Sequence, residues 1–175
     1  AQKDIEVWLV NNDIYHWKGI VAGPGDSVYE GGRWEIDIKI PDKYPYVPPK
    51  MQFDTKIWHP NISSVTGAIC LDILKDEWSP ALSIRTALIS IQALLTDAAP
   101  DNPQDAVVAK QYKENRELFN ETVRKWTKEY ATIDKSKEDK IGKIMAMGFT
   151  RGQAEKALVH SGWDVDAAIN YIISS

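Results

Sequence analysis

The spacing of apolar residues changes along the chain, from the period of strands to the period of helices. Residues 33–40 alternate apolar and charged side chains, which predicts a strand with one buried face. Weaker strand patterns cover residues 5–10, 15–22 and 51–55. Because turn-forming segments rich in Gly, Pro, Asn and Asp separate these short strands, we predict an antiparallel meander near the start of the chain.

After Pro80, apolar residues recur at helical spacing. A first helix is predicted to begin at Ile84, with Ser83 as its N-cap and Pro100 beyond its end. A second is predicted over residues 105–116. A third carries an apolar stripe formed by Phe119, Val123, Trp126 and Tyr130. We interpret these stripes as core packing, so the first part of the chain is predicted to be an α+β domain, a four-stranded antiparallel meander with flanking helices.

Three shorter helices are predicted near the end of the chain. Ser136 precedes the first, over residues 137–145. Thr150 and Gln153 form a capping box for the second, and Asp164 caps the third. A unit of this size is near the lower limit for independent folding. We therefore expect an all-α three-helix bundle behind the α+β domain.

The boundaries follow from these patterns, and composition limits the ligands. We place the first domain at residues 1–131, a linker at 132–136 and the second domain at 137–175. The net charge of −4 and the pI near 5.4 argue against nucleic acid as the main ligand, because phosphate binding needs a clustered basic face. The most apolar stretch, residues 81–95, is too short and too polar to cross a bilayer.

The chain has one cysteine, Cys70, so neither an intramolecular disulfide nor a cysteine-based metal site is expected. On its own, a lone cysteine is most simply a small buried apolar residue. Cys70 lies in residues 58–80, where no period persists. That stretch is too apolar for disorder, and a long ordered loop in a compact domain is commonly functional.

Several short motifs around this loop occur in a fixed order: Tyr29-Glu30-Gly31-Gly32, Tyr44-Pro45-Tyr46-Val47-Pro48-Pro49, His59-Pro60-Asn61, Gly67-Ala68-Ile69-Cys70-Leu71 and Trp78-Ser79-Pro80-Ala81. In this order and spacing they resemble the ubiquitin-conjugating enzyme family over residues 5–130. One such motif would be weak support, but the ordered set is specific. The family also has a first helix before Ile5, most of which we expect to be missing here.

The resemblance implies an acyltransferase. Cys70 lies where the family has its nucleophile and would accept ubiquitin from the activating enzyme as a thioester, then pass it to lysine amines to build polyubiquitin chains. Exchange between thioesters needs little activation, which fits a sequence without an evident Cys-His pair. The same lack of a histidine partner argues against a cysteine hydrolase. The alternative is a catalytically silent ubiquitin-binding adaptor, although such relatives usually lack the cysteine.

Roles for the turn residues follow from the same resemblance. His59 and Pro60 are expected to hold the turn. Asn61 matches an asparagine whose amide would donate to the oxyanion formed when a lysine attacks the thioester. Alternatively, Asn61 hydrogen-bonds only the backbone of its own loop, as asparagines in turns often do.

Two further positions concern the incoming lysine. Asp72 matches a position beside the nucleophile that can orient the lysine, although a solvated loop carboxylate is an equal interpretation. The family often has Asp where this chain has Asn102, in Pro100-Asp101-Asn102-Pro103. Asn102 can hydrogen-bond a lysine but supplies no negative charge. The negative charge that holds the lysine would then come from Asp101, the substrate or a partner.

Partners are implied as well. Relatives present apolar loops to RING-type ubiquitin ligases at positions that are matched here by Tyr46, Trp78, Pro80 and Ala81. The resemblance further implies a monomer without nucleic-acid or membrane binding. It implies no bound cofactor, because the activating enzyme consumes the ATP upstream. The expected location is the cytoplasm, with the nucleus as a second compartment.

The end of the chain resembles a ubiquitin-associated domain, a small module that binds ubiquitin through apolar residues. The matching residues are Met147, Gly148, Phe149, Ile172 and Ile173. Gly148 permits a sharp turn that leaves its neighbours free for a partner; the alternative is that they form the core of the small domain. The domain order resembles conjugating enzymes of the twenty-five-kilodalton, huntingtin-interacting type. Such tethering would raise the local ubiquitin concentration, unless the short linker makes the two domains pack together rigidly.

Overall fold

The protein forms an α+β unit followed by three helices, as the sequence predicts. The computed structural model describes residues 4–132 and 135–175, with the backbone alone at Lys135. The antiparallel sheet runs in chain order through β1 (Ile5–Val10), β2 (Asp13–Ala22), β3 (Arg33–Lys39) and β4 (Lys50–Phe53). The helices are α1 (Ile84–Thr96), α2 (Ala106–Glu114), α3 (Arg116–Tyr130), α4 (Lys135–Met145), α5 (Arg151–His160) and α6 (Val165–Ile173).

One face of the sheet forms the main core with the first three helices. Trp34, Ile36 and Ile38 are fully buried, which confirms the period-two prediction for β3. Helix α1 packs on this face, and its Leu88 lies 3.2 Å from where a Cβ on Gly19 would be. Even a methyl group at Gly19 would therefore require the Leu88 side chain to shift by a few tenths of an ångström.

Local signals for the helix starts are confirmed. Ser83 Oγ accepts from Thr86 N at 3.1 Å and caps α1. Thr150 forms the predicted capping box with Gln153, and Asp164 accepts from Ala167 N at 2.8 Å. These short-range bonds satisfy backbone groups that the first turn of a helix leaves unpaired.

The predicted start of the fourth helix is wrong by two residues. Helix α4 begins at Lys135, inside the segment predicted as a linker at residues 132–136, so Ser136 lies within the helix. Lysine and glutamate favour helix, and Glu138 lies in the first turn, where a negative charge is stabilising. Residues 133 and 134 of the predicted linker lie outside the described part of the chain.

The three-helix unit also contacts the sheet. The register pairs Trp8 with Lys18 and Ile20 with Glu35, which places both apolar residues on the face opposite the main core. Both are nonetheless buried. Helix α5 lies against β1 there, so close that a Cβ on Gly152 would overlap the Trp8 indole. Lys156 Nζ adds a 3.0 Å hydrogen bond to Asn11 Oδ1.

No helix in the described residues is both long and apolar enough to cross a membrane. The same residues contain no group of three or more His, Cys, Asp or Glu side chains arranged to hold a metal ion.

Candidate active site

Cys70 lies at the surface end of an ordered loop. Ile62 and Ile69 pair across an isolated bridge and are both buried, whereas Cys70 is half-exposed. Its N–H donates to Asn61 O at 2.8 Å, and a 3₁₀ turn (Asp72–Leu74) follows. The backbone around the sulfur is thus fixed, while the sulfur itself stays accessible.

A glycine allows this loop to approach the sheet. Gly67 has a φ of 78° and its O accepts from Phe53 N at 2.9 Å. A Cβ at Gly67 would overlap the carbonyl of Phe53. Glycine is required for both reasons, because other residues rarely adopt this φ and have no room here.

His59 is fully buried and cannot act as a base toward Cys70, because both of its ring nitrogens are engaged in other hydrogen bonds. Its Nε2 donates to Leu94 O at 2.7 Å, and its Nδ1 accepts from Asn61 N at 3.0 Å. This pattern fixes the neutral tautomer with the proton on Nε2. Burial lowers the pKa of His59 to about 4, and the carbonyl of Leu94 offsets only part of that effect. These bonds link the turn to α1, and the role of His59 in holding the turn stays a prediction.

The side chain of Asn61 is 1% exposed and fully engaged with the loop that precedes α2. Its Nδ2 donates to Ala99 O at 2.8 Å and to Asn102 O at 3.0 Å, while its Oδ1 accepts from Ala99 N at 2.8 Å. Both amide protons are used, so donation to an oxyanion requires the release of one bond. The Asn61 side chain thus bonds backbone groups, but they belong to the segment before α2 and not, as the alternative interpretation expected, to its own loop. Its direct catalytic part stays a prediction.

Asp105 makes a second connection between the start of α2 and the loop that carries Cys70, and the sequence did not reveal it. Its carboxylate accepts from Ser64 N at 3.0 Å, from Ser64 Oγ at 2.6 Å and from Val108 N at 3.2 Å. Burial would raise the pKa of Asp105, but the bonds from Ser64 and from the start of α2 outweigh it and hold the pKa below its usual value. The predicted second helix began at this residue, but nothing local indicated Ser64.

The predicted lysine-orienting residues lie on two segments that Asn61 joins. Asp72 is exposed at the first position of the 3₁₀ turn, and its carboxylate accepts from Ile73 N at 2.7 Å. Asn102 is also exposed, on the segment held by the Asn61 side chain. Asp101 is paired with Lys113 at 2.6 Å, which lowers the pKa of Asp101. Its charge is therefore already partly compensated.

Lys75 lies beside the cysteine, although sequence reasoning did not single it out. Its Nζ is 3.8 Å from Cys70 Sγ. The spacing in sequence gave no signal, because the contact depends on the 3₁₀ turn that folds Lys75 back toward the sulfur.

The structure brings together the two segments predicted to bind ligases. Trp78 is half-buried, its Nε1 donates to Pro45 O at 2.8 Å, and its ring lies 6.0 Å from that of Tyr44. Tyr46 is 80% exposed, and Pro80 and Ala81 are exposed as well. Trp78 thus fixes the two segments side by side, while the other three predicted residues face solvent.

The predicted ubiquitin-binding residues divide into two groups. Met147 and Ile173 are 54% and 69% exposed. Phe149 and Ile172 are half-buried and pack against the core of the three-helix unit. Gly148, with a φ of 97°, makes the turn between Met147 and Phe149. Part of the set therefore supports the small core, and part is free to contact a partner.

Comparison with known proteins agrees with this architecture. The family model described as "Ubiquitin-conjugating enzyme" matches residues 1–127, and the model described as "UBA/TS-N domain" matches residues 136–172. The chain therefore belongs to the ubiquitin-conjugating enzyme family and carries a C-terminal ubiquitin-associated (UBA) domain.

Individual relatives match most or all of the chain. The chain is 52% identical to Ubiquitin-conjugating enzyme E2 K of Homo sapiens, over 100% of this chain and 89% of that protein. It is 50% identical to Ubiquitin-conjugating enzyme E2 27 of Arabidopsis thaliana, over 98% of this chain and 88% of that protein. A solved structure, the E2 domain of a Toxoplasma gondii ubiquitin-conjugating enzyme, superposes with a TM-score of 0.72 at 60% identity, covering 73% of this chain and 88% of that one.

Proposed function

We propose that Cys70 carries ubiquitin as a thioester and passes it to lysine amines. The observation that carries this proposal is a half-exposed cysteine on a fixed loop, in which His59 is buried and has both ring nitrogens engaged in hydrogen bonds to other residues. The Cys70 thiolate attacks the thioester carbonyl of the loaded activating enzyme. A new C–S bond forms, the old C–S bond breaks, and the activating enzyme leaves as a thiolate.

In the second step, a neutral lysine amine attacks the Cys70 thioester. The C–N bond forms, the Cys70 thiolate leaves, and the proton of the amine passes to solvent. Asn102 has no charge to hold the lysine ammonium, and Asp101 is paired with Lys113. We therefore assign the orientation of the lysine to the exposed carboxylate of Asp72, aided by the acceptor protein itself.

The C-terminal unit would bind ubiquitin noncovalently, through a surface that includes Met147 and Ile173. Both are exposed apolar residues, and such residues on a rigid turn or helix end are good binding anchors. Holding a second ubiquitin on the same molecule that carries the first favours the building of chains over single transfers.

Other partners follow from the exposed loops. Tyr46, Pro80 and Ala81 would contact RING-type ligases, with Trp78 as the support beneath them. The activating enzyme would consume the ATP, so the chain itself would need no cofactor. We further propose that the protein acts as a monomer in the cytoplasm, and in the nucleus as well.

Thioester formation on a non-reducing gel tests the function. The protein is mixed with activating enzyme, ATP and ubiquitin, beside Cys70→Ser and Cys70→Ala. We expect a band that is heavier by one ubiquitin and that thiol reductant removes. Cys70→Ser should give a reductant-resistant oxyester, and Cys70→Ala no adduct.

Failure of the first band would contradict the proposal. If the protein then still bound free ubiquitin in a titration, the catalytically silent adaptor would be the better description, because its UBA domain would be the functional part. A reductant-sensitive adduct on Cys70→Ala would show that the sulfur of Cys70 is not the acceptor.

A further inference from the structure

The chain between α1 and α2, the connecting segment (residues 97–105), is attached to the active-site turn by two separate sets of hydrogen bonds. The first set is made by the side chain of Asn61, which bonds Ala99 and Asn102 in the middle of the segment. The second set lies at the end of the segment, next to the start of α2. Since the two sets use different residues, one can break while the other remains.

The second set joins the last two residues of the connecting segment to both sides of the turn. Gln104 N and Asp105 N donate to Pro60 O, at 2.9 and 3.1 Å. The Asp105 carboxylate accepts from Ser64 N at 3.0 Å and from Ser64 Oγ at 2.6 Å. We call these last two bonds the Ser64–Asp105 clamp. The end of the segment is therefore held without any contribution from the Asn61 side chain.

The two oxygens of the Asp105 carboxylate have separate tasks. Oδ1 accepts from Val108 N at 3.2 Å and caps α2, whereas Oδ2 takes both bonds from Ser64. Serine or threonine would cap the helix as well, but a single side-chain oxygen cannot face both Val108 and Ser64. The second oxygen indicates that Asp105 does more than begin a helix.

The oxyanion contact predicted for Asn61 requires an amide proton that is already in use. Both protons are donated, one to Ala99 O and one to Asn102 O, so Asn61 must release one of these bonds. If Asn61 alone held the connecting segment, that release would free the segment during the transfer. Because the clamp and Pro60 O still hold it, the release costs one hydrogen bond and not the order of the whole segment.

We propose that Ser64 and Asp105 are positioning residues for the transfer of ubiquitin to lysine, because they hold the connecting segment while Asn61 exchanges a backbone bond for a bond to the oxyanion. This inference rests on the proposed thioester at Cys70 and on the predicted oxyanion contact of Asn61. Neither positioning residue touches the reacting atoms. Loading of Cys70 depends less on the clamp, since exchange between thioesters needs little activation.

Single-turnover discharge of the full chain to free lysine tests the proposal. The protein is loaded with ubiquitin by the activating enzyme, ATP is removed, lysine is added, and the loss of the thioester is followed on non-reducing gels. Ser64→Ala removes the hydroxyl of the clamp. Asp105→Ser removes its acceptor but keeps a residue that caps α2. Each variant gives an extent of loading and a rate constant of discharge.

Both variants should load normally and discharge roughly tenfold more slowly, as expected for the loss of one hydrogen bond to a charged group. The double variant should be no slower than the slower single variant, because both changes break the same clamp. Ser64→Thr keeps the hydroxyl and should discharge at the natural rate. Ser63→Ala is the matched control, because Ser63 Oγ accepts only from Val65 N and Thr66 N in its own turn; it should leave discharge unchanged.

Amide hydrogen exchange tests, without reference to activity, whether either set of bonds can hold the segment. In Asn61→Ala, Gln104 N should stay as protected as in the natural chain, because the clamp remains. When Asn61→Ala is combined with Ser64→Ala, exchange at Gln104 N should become at least tenfold faster, while the buried side of α1 keeps its protection. Unchanged protection in the combined variant would overturn the proposal, because Pro60 O alone would then hold the segment.

The remaining outcomes separate this inference from the proposed function. If the thioester forms but Ser64→Ala and Asp105→Ser discharge at the natural rate, the clamp does not position the site and the thioester assignment stands. Equal slowing in Ser63→Ala, or no recovery in Ser64→Thr, would also overturn the inference, because the hydroxyl bond would not be the cause. If no thioester forms on Cys70, the proposed function fails and the inference fails with it.

Discussion

At the scale of single residues, His59 couples the stability of the active-site turn to pH. Its pKa is about 4 in the folded chain, against 6.5 for an ordinary histidine. Between these values, the unfolded chain binds a proton that the folded chain excludes. The contribution of His59 to the free energy of unfolding is therefore complete above pH 6.5 and is lost as the pH falls toward 4, by up to about 3 kcal/mol.

The variant His59→Gln isolates this effect, because glutamine can still donate to Leu94 O but does not titrate. We expect the free energy of unfolding of the natural chain to fall more steeply from about pH 7 to about pH 4.5 than that of His59→Gln. Urea unfolding at a series of pH values measures both slopes. Parallel slopes would mean that another buried group causes the acid sensitivity.

The sequence indicated candidate site residues but not the residues that they contact. The His-Pro-Asn turn, Cys70 and the capping residues all carry local signals. Asn61 bonds Ala99 and Asn102. Ser64 bonds Asp105, and Cys70 contacts Lys75. Ala99, Asn102 and Asp105 lie about forty residues from their partners, and the Lys75 contact depends on a 3₁₀ turn. Neither periodicity nor turn chemistry could therefore have identified these contacts.

At the scale of elements, the end of α4 and the turn into α5 combine packing with exposure. Met147 is exposed, whereas Phe149, across Gly148, packs against the core of Ile141, Ile144 and Leu158. The same short segment therefore stabilises the three-helix unit and supplies apolar surface. A substitution here can weaken binding either by removing a contact or by loosening the fold.

Paired substitutions distinguish these effects. Met147→Ala should weaken noncovalent ubiquitin binding with little change in Tm, whereas Phe149→Ala should also destabilise the unit by about 2 kcal/mol because a half-buried aromatic side chain is lost. Titration with free ubiquitin and thermal melts measure both. Val159→Ala on α5 is the control for an exposed apolar residue; if it weakens binding as much as Met147→Ala, the binding surface lies elsewhere.

At the scale of the whole molecule, α5 joins the UBA domain to the outer face of the sheet. The buried guanidinium of Arg151 pairs with Glu138 at 2.7 Å and with Glu155 at 2.8 Å in its own domain, and lies 3.6 Å from Glu6 on β1. Burial raises the pKa of Glu155 to about 7, although Arg151 favours its charged form. Trp8 and Gly152 add apolar contact at the centre of this interface.

Gly152→Ala should separate the two domains, because a Cβ at this position overlaps the Trp8 indole. Gly142→Ala on α4 is the matched control, since a Cβ there meets nothing within 4 Å and should stabilise its helix by about 1 kcal/mol. Small-angle scattering and the indole N–H resonance of Trp8 report the separation. An unchanged radius of gyration and Trp8 resonance in Gly152→Ala would show that the interface adapts to the added methyl group.

Because α5 contacts β1, the short joint between the domains does not by itself set their orientation. Since helix and strand supply the contact, the joint affects it only through the entropy of closing a loop, and each doubling of the length of such a loop costs only about 0.6 kcal/mol. A longer or shorter joint should therefore preserve the orientation of the two domains. That orientation depends on the clearance at Gly152, not on the number of residues that lead to it.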